Sequence, residues 1–249
     1  MLQTQLKTPQ GVTSIFTPNP EQVMMAVSKP DFSRILRQAS VRIPDGFGLL
    51  LASRVLSGAS RTQTHISERI AGVDLAESLI IQATKAGKKC LVIGGKDYAG
   101  AQFDGLEFRE FTHSVTKKEV SEMSANSMWW LSGYKSVKKP TSTEEKLVSK
   151  ALSTVKPDVV FVAFGAPAQE EWVVSHLEEL EKHKVAIVMV VGGAFDMLLG
   201  KVARAPEYLQ KLGLEWLFRL IQEPWRWKRQ LKLLEFTKLV IREALGFQK

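Results

Sequence analysis

The sequence lacks the features on which several classes of protein depend. It contains one cysteine, Cys90, so no disulfide framework can form, and this suits a reducing cytoplasm. Cys90 lies in an apolar run, and we predict that it fills core space rather than acts as a nucleophile. The longest uninterrupted apolar stretch, 185–195, is shorter than the roughly 20 residues that a bilayer requires. The opening MLQTQLKTPQ lacks the apolar centre of a signal peptide, so we expect a protein that does not cross a membrane.

Several catalytic and binding motifs are also missing. The turn VIGGKDYAG does not have the Gly-x-Gly-x-x-Gly spacing of dinucleotide-binding folds, which disfavours a dehydrogenase. The sequence has no P-loop and no Gly-x-Ser-x-Gly elbow, which disfavours P-loop nucleotide hydrolases and serine esterases. The four histidines are not paired at metal-ligand spacing, and no Asp-x-Asp is present to hold a divalent ion on a sugar nucleotide. We therefore expect neither a metal nor an organic cofactor.

Strand and helix patterns alternate along the first 200 residues. Apolar runs rich in Val and Ile, at 89–94, 158–165 and 185–192, predict strands that are covered on both faces. Shorter strands are predicted at 12–17 and 40–44. Helices are predicted at 21–39 with a break near Pro30, and at 47–56, 73–86, 143–154 and 169–181, with Thr143 as an N-cap. This alternation predicts an α/β fold with a Rossmann-like, doubly wound parallel sheet.

The C-terminal fifth of the chain has a different character. After Gly200 the pattern predicts helices only, at 206–222 and 225–247, with Pro224 between them. We therefore predict a core at 1–200 and a helical C-terminal appendage at 201–249. Residues 103–140 show no stable period, and there we predict only that Trp129 and Trp130 are buried.

Unusual residues follow the predicted strands, at the edge where parallel sheets bind ligands. The first strand runs into TPNPE, which presents Thr17 and Asn19 as a polar wall or starts a helix with Pro20 at its first position; both can hold together, because a helix N-terminus also binds phosphate. The second strand ends in PDGFG, where Asp45 is either a helix N-cap or a general base. The motifs ERIAGVDL, GAPAQEEW and VGGAFDM complete five such connections. Together they predict a cleft with several polar walls.

The tail is basic and contains interleaved aromatic residues. The net charge of the chain is +8, and from Lys201 onward eleven Lys/Arg oppose five Glu. The segment EPWRWKRQ suits nucleic acid, an anionic membrane surface, a phosphate-bearing ligand or a neighbouring subunit. The apolar residues between 231 and 241 exceed what a solvated nucleic-acid-binding arm carries, so we favour a helix in the membrane interface. A basic nucleic-acid-binding α/β protein and an oligomerisation helix are the alternatives.

The five motifs, in this order, resemble the WecG/TagA/CpsF family of glycosyltransferases (glycosyltransferase family 26). The resemblance runs from Thr17 to about Arg229 and ends in VGGAFDMLLGKVARAPEYLQKLGLEWLFRLIQEPWRWKRQ. It implies an α/β glycosyltransferase core with a membrane-associating C-terminal appendage. It also implies transfer, with inversion, of an N-acetylmannosamine-type sugar from UDP to an undecaprenyl-diphosphate-linked GlcNAc. That step serves the synthesis of wall teichoic acid or another surface polysaccharide.

The resemblance also implies roles for individual residues. Asp45 is the implied general base, which takes the proton of the acceptor hydroxyl. The implied nucleotide-sugar pocket involves Thr17, Asn19, Arg69 and Gln169, to which we add Gly193 and Asp196. The arginines implied to meet the lipid diphosphate are Arg219, Arg226 and Arg229. For Arg219 the alternative is an ion pair with Glu215 or Glu223, four residues away on either side.

The same reading predicts partners and a location. We expect a UDP-sugar donor, an undecaprenyl-diphosphate-linked acceptor and an anionic membrane surface as partners, and no nucleic acid. Without a metal, arginines and helix N-termini must offset the charge of the departing UDP. We place the protein in the cytoplasm, peripheral on the inner face of the cell membrane. A homo-oligomer is left open.

Overall fold

The computed structural model describes residues 2–59, 65–122 and 127–246, with only the backbone of Leu2, Arg226, Lys228, Arg229 and Gln230. The chain forms two compact units that alternate along the sequence. The first unit contains Met1–Phe16, Arg37–Val41 and Gly72–Val202, and the second contains Thr17–Leu36, Arg42–Ala71 and Ala203–Lys249. A separate C-terminal appendage is not confirmed, because the last segment shares its unit with two earlier segments.

The first unit is built on an eight-stranded, mostly parallel sheet. Its strands are β1 (Thr13–Phe16), β2 (Val41–Arg42), β3 (Cys90–Gly94), β4 (Gln102–Phe103), β5 (Leu106–Glu110), β6 (Ser127–Leu131), β7 (Val159–Ala163) and β8 (Ile187–Val190). Their order across the sheet is β2-β1-β8-β7-β3-β6-β5-β4. Neighbouring strands from β1 to β5 in this order pair in parallel, and β4 pairs antiparallel with β5. The predicted α/β class and parallel sheet are confirmed.

The central strands have the continuous burial that their apolar sequences predict. Every residue of β3, β7 and β8 is buried. All five predicted strands are present, shortened by one or two residues at one or both ends. Cys90 is buried in β3, and this burial, followed by the charge of Asp158, raises the pKa of its thiol to about 12. Its predicted role in the core is confirmed.

Residues 103–140 contain secondary structure that the sequence pattern does not reveal. They include β5, β6 and the short helix Lys117–Glu122, and β4 begins one residue before them. Leu106 and Phe108 of β5 are buried, Glu107 is partly buried, and Arg109 and Glu110 are both exposed, so the strand is too short and uneven to show a clear period. The predicted burial of Trp129 and Trp130 is confirmed, and the Trp130 indole N–H donates to the Gly94 carbonyl at 2.8 Å.

The helices complete both units. In chain order they are α1 (Leu2–Lys7), α2 (Pro20–Ser28), α3 (Pro30–Arg37), α4 (Phe47–Gly58), α5 (Gly72–Lys85), α6 (Lys117–Glu122), α7 (Ser142–Val155), α8 (Ala168–Ser175), α9 (Leu177–Lys182), α10 (Ala194–Leu198), α11 (Glu207–Lys211), α12 (Glu215–Gln222) and α13 (Trp227–Leu245). The break predicted near Pro30 separates α2 from α3. None of the helices among the described residues is both long and apolar enough to cross a bilayer.

The second unit is held together by α13. This helix packs against α2 and α4, and its Phe236 side chain is buried. Gly48 allows the close approach, since a Cβ atom there would lie 2.9 Å from Pro20 Cγ and 3.8 Å from Phe236 Cε1. A burial of this size stabilises the folded unit by about 2 kcal/mol for one phenylalanine. The C-terminal helix is therefore part of the packing of its unit.

The helix predicted at 206–222 is divided in the structure. Gly213 has a φ of +74°, a left-handed conformation that ends the helical path between α11 and α12. A Cβ atom at Gly213 would also lie 2.5 Å from Phe47 Cγ, so a larger residue does not fit. The predicted break at Pro224 is confirmed, because a 3₁₀ turn at Pro224–Arg226 precedes α13. Phe247, the predicted helix end, lies outside the described residues.

The N-cap predicted for α7 is wrong by two residues. Thr141, not Thr143, accepts the Glu144 backbone N–H, and the Glu144 carboxylate accepts the Thr141 N–H in return. This reciprocal capping box requires a spacing of three residues, which Thr143 does not have to a glutamate. A backbone hydrogen bond from Lys135, together with the bonds from Thr141, lowers the pKa of the Glu144 carboxyl.

We predict that Thr141→Ala lowers the free energy of unfolding by about 1 kcal/mol, because it leaves an end of α7 without its cap. The matched control Thr143→Ala should leave it unchanged or slightly higher, since alanine favours the helix interior. Urea denaturation of both variants measures the difference. A larger loss for Thr143→Ala than for Thr141→Ala would refute the assignment of the cap.

Candidate active site

The TPNPE motif forms the start of α2 in the second unit. The Asn19 side chain accepts the Gln22 N–H at 3.0 Å, and the Gln22 side chain accepts the Asn19 N–H at 3.1 Å. Pro20 occupies the first helical turn, where its missing N–H costs nothing. The helix-start interpretation is therefore confirmed. Because Asn19 Oδ1 caps the helix, a ligand role for Asn19 rests on its amide nitrogen.

The PDGFG motif places Asp45 immediately before α4. The Asp45 N–H donates to the Pro18 carbonyl at 2.8 Å, which ties this turn to the TPNPE turn. The N-cap of α4 is Gly46, which has no side chain to cap the helix. Asp45 is therefore the residue before the N-cap position, and its role stays a prediction. Its carboxylate is partly exposed and turns toward Arg69.

Four charged side chains of the second unit form a connected cluster. Arg69 Nη2 donates to Glu215 Oε2 at 2.5 Å, and Arg69 Nε lies 3.8 Å from Asp45 Oδ1. Arg204 Nε lies 4.0 Å from the other oxygen of Glu215. The Glu215 side chain is 12% exposed and that of Asp45 is 31% exposed. The cluster thus has one shielded carboxylate that binds arginine and one accessible carboxylate beside it. We call these four residues the Arg69 cluster.

The arginines predicted to bind the lipid diphosphate lie on the same C-terminal segment. Arg219 lies on α12, and its Nη2 atom is 3.6 Å from Oε2 of Glu223, the residue that follows the helix. This distance agrees with the ion-pair alternative for Arg219. Glu215, the other predicted partner of Arg219, instead pairs with Arg69. The side chains of Arg226 and Arg229 lie outside the described residues. Their role stays a prediction.

Gln169 bridges two strand ends in the first unit. Its Oε1 atom accepts the Gly165 N–H at 3.1 Å and the Gly192 N–H at 3.0 Å, so it joins the loops after β7 and β8. Its Nε2 atom donates to the buried Glu170 carboxylate at 2.9 Å. A buried amide with this many protein partners fixes the loop geometry. Direct contact of Gln169 with a nucleotide sugar stays a prediction.

The residues predicted after β8 are also placed by contacts inside the first unit. Gly193 is the N-cap residue of α10. Asp196 accepts the Tyr98 hydroxyl at 2.9 Å, and burial together with this hydrogen bond raises the pKa of Tyr98. Lys201 Nζ donates to the carbonyls of residues 96 and 97, beside the same tyrosine ring. Asp196 and Lys201 thus brace the loop that follows β3.

In the ranges that the structure describes, no group of three His, Cys, Asp or Glu lies close enough to hold a metal ion. The two carboxylates of the Arg69 cluster face guanidinium groups instead. Arg69 and Arg204 are the positively charged side chains of the cluster, and guanidinium groups suit an anionic ligand.

Comparisons with known proteins agree with this arrangement of motifs. The family model described as "Glycosyl transferase WecG/TagA/CpsF family" matches residues 1–249. A Bacillus subtilis (strain 168) protein is 32% identical over 230 residues, which cover 92% of this chain and 79% of that protein. A Bacillus spizizenii protein is 26% identical over 243 residues, covering 94% of this chain and 81% of its own length. Both are named N-acetylglucosaminyldiphosphoundecaprenol N-acetyl-beta-D-mannosaminyltransferase.

This chain belongs to the WecG/TagA/CpsF glycosyltransferase family. Its sequence resemblance is therefore confirmed over the full length, including residues 103–140, where the motifs gave little. The predicted site residues divide between the two units. Those of the second unit are Thr17, Asn19, Asp45, Arg69, Arg219, Arg226 and Arg229, and those of the first unit are Gln169, Gly193 and Asp196.

Two residues of the Arg69 cluster were missed by reasoning from the sequence. The sequence singles out Glu215 only as a neighbour of Arg219, and it gives no reason to single out Arg204. Both lie within the long C-terminal signature, but the Arg69–Glu215 contact joins positions 146 residues apart. Helical spacing indicates partners three or four residues away, so no local pattern could have found it.

Proposed function

We propose that the chain is an inverting glycosyltransferase that moves an N-acetylmannosamine-type sugar from UDP to GlcNAc on undecaprenyl diphosphate. Two relatives that it matches over more than nine tenths of its length are named for a transfer of this sugar to that acceptor. The observation that carries the proposal is the accessible Asp45 carboxylate, held in the PDGFG turn at 3.8 Å from Arg69. A carboxylate beside a fixed cation is what such a transfer requires.

In the proposed reaction Asp45 acts as the general base. The acceptor hydroxyl oxygen attacks the anomeric carbon while its proton passes to the Asp45 carboxylate. The bond between the anomeric carbon and the UDP oxygen breaks, and UDP leaves with the bonding electron pair. Arg69 offsets the charge that develops on the departing diphosphate. Attack from the face opposite UDP gives inversion.

Donor binding is proposed for the residues that the family motifs supply. In the second unit these are Thr17, the Asn19 amide nitrogen and Arg69. In the first unit Gln169, Gly193 and Asp196 stay predictions for this role. No cofactor is proposed.

The acceptor diphosphate is proposed to bind the arginines of the C-terminal segment. A guanidinium group donates two parallel hydrogen bonds to one phosphate, which a lysine ammonium cannot do. Arg219 already lies on α12 with its charge partly balanced by Glu223. Arg226 ends the 3₁₀ turn that follows α12, and Arg229 lies in the first turn of α13, so the three arginines belong to one short segment of the chain.

We further propose that the second unit docks on an anionic membrane surface. Its sequence has 16 Lys/Arg and 9 Asp/Glu, so it carries +7 of the net charge of +8. Among the described residues, every exposed large apolar side chain belongs to it. Eleven of these lie on residues 208–245 and form what we call the apolar tail surface: Tyr208, Leu212, Trp216, Leu217, Ile221, Trp225, Trp227, Leu231, Leu234, Ile241 and Leu245.

This combination fits lipid better than nucleic acid. Each Lys or Arg near an anionic bilayer contributes about 1 kcal/mol, and exposed tryptophans partition to headgroup depth. A nucleic-acid surface would expose cations and a few aromatic platforms, not aliphatic side chains such as Ile221 and Leu234. The protein is therefore proposed to be peripheral on the inner face of the cell membrane, where a lipid-linked acceptor is reached.

Incubation with a panel of UDP-sugars and lipid-diphosphate-linked GlcNAc tests the proposed function. We expect a product that is heavier by one N-acetylhexosamine from UDP-N-acetylmannosamine, detected by mass spectrometry, and a newly formed bond of inverted configuration by NMR. Product formation should be the same with and without EDTA, since arginine supplies the positive charge. No transfer from any UDP-sugar of the panel to the lipid acceptor would refute the proposal.

We predict that Asp45→Asn lowers turnover by about a hundredfold or more, because the amide cannot accept the proton. Affinity for UDP, measured by calorimetry, should stay within about threefold, since the change removes a base and not a diphosphate ligand. The matched control is Asp31→Asn, which changes an exposed aspartate of the same unit that pairs with Arg34. Turnover of Asp45→Asn near that of the control would remove Asp45 from the mechanism.

We predict that the double variant Trp225→Gln/Trp227→Gln binds phosphatidylglycerol vesicles about fivefold less than the wild type in flotation assays. These side chains are 70% and 54% exposed, so folding should be little affected. Val27→Gln, an exposed apolar change on α2 outside the apolar tail surface, is the control and should bind as the wild type does. Equal binding by the double variant and the wild type would contradict the docking proposal.

A further inference from the structure

Glu215 makes the closest contact of the Arg69 cluster. Its Oε2 atom accepts the Arg69 Nη2–H at 2.5 Å, and its Oε1 atom lies 4.0 Å from Arg204 Nε. It is also the least exposed carboxylate of the cluster. A shielded carboxylate between two arginines holds them with less competition from water than an exposed one.

Asp45 does not hold Arg69 in the same way. The distance of 3.8 Å between Arg69 Nε and Asp45 Oδ1 exceeds that of a hydrogen bond. The Arg69 Nε atom is itself buried and donates to no protein acceptor among the described residues. The position of the guanidinium group is therefore set by Glu215, which accepts a hydrogen bond from its Nη2 atom.

We propose that Glu215 is a positioning residue for sugar transfer, which holds the Arg69 guanidinium group beside Asp45. This inference rests on the proposed function, in which Asp45 is the base. Held at 3.8 Å from Asp45, Arg69 keeps its positive charge beside the carboxylate that takes the acceptor proton in the proposed reaction.

The C-terminal segment then has a role inside the reaction site. Glu215 lies at the first position of α12, directly after the Gly213 turn that ends α11. Phe47, which follows the PDG sequence, packs where a Cβ atom of Gly213 would lie. The turn that carries Glu215 is thus fitted against the turn that carries Asp45, within one unit.

The test is a set of single and double variants assayed for transfer from UDP-N-acetylmannosamine to the lipid acceptor. Glu215→Gln removes the charge with little change of shape, and we expect kcat to fall about tenfold while KM for the donor stays within about threefold. Glu215→Asp keeps the charge and should recover at least about a third of the lost activity. Glu207→Gln is the matched control, because Glu207 is an exposed glutamate of the same segment that pairs with Lys211.

The double variant separates positioning from a purely structural role. If Glu215 acts through Arg69, then Arg69→Ala/Glu215→Gln should have the kcat of Arg69→Ala within about twofold. The inference would be overturned if the two substitutions lowered kcat by factors that multiply in the double variant. It would also be overturned if Glu215→Gln had the wild-type kcat, or if its kcat fell only as far as the amount of folded protein seen by circular dichroism. A wild-type protein that transfers no sugar would overturn the proposed function, and the inference with it, before any variant is compared.

Discussion

The contact between Arg69 and Glu215 joins segments that are 146 residues apart, and the second unit depends on bringing those segments together. Closing a loop of that length costs about 4 kcal/mol of chain entropy. The Arg69–Glu215 ion pair is largely shielded, and the cost of removing both charges from water cancels much of their attraction, so the pair does not offset this cost. The apolar packing of α13 against α2 and α4, with Phe236 buried, has to supply the difference. Packing brings the segments together, and the ion pair then decides where Arg69 points.

The fold could be predicted where burial leaves a continuous local pattern. β3, β7 and β8 are buried throughout, so their Val- and Ile-rich runs indicated strands directly. β5 and β6 were missed because β5 is half-exposed and short, and because β6 owes its burial to neighbours that are distant in sequence. The cap of α7 was misplaced because two threonines stand within three residues, and only Thr141 has a glutamate at the required spacing.

The candidate site was predictable to the level of motifs but not of contacts. The motifs correctly singled out the TPNPE and PDGFG turns, which the Asp45–Pro18 hydrogen bond joins in the structure. The motifs could not show that the Gln169 side-chain carbonyl oxygen accepts two loop N–H groups, or that Asp196 accepts the Tyr98 hydroxyl. Such contacts depend on where each side chain points in the folded protein, and residue spacing in the sequence does not predict this for partners far apart in the chain.

The C-terminal segment has two proposed roles, membrane docking and the positioning of Arg69, and experiments have to separate them. Residues 203–249 carry the apolar tail surface proposed for the membrane, but also Glu215 and the buried Phe236. Removing the segment would expose the surfaces of α2 and α4 that pack against α13. It would also leave the shielded Arg69 charge without its closest partner, Glu215, and an unpaired shielded charge is destabilising. Loss of activity in a truncated chain would therefore say nothing about lipid. Substitutions at exposed positions such as Trp225 leave these internal contacts in place, so they alone can divide membrane docking from the arrangement of the reacting groups.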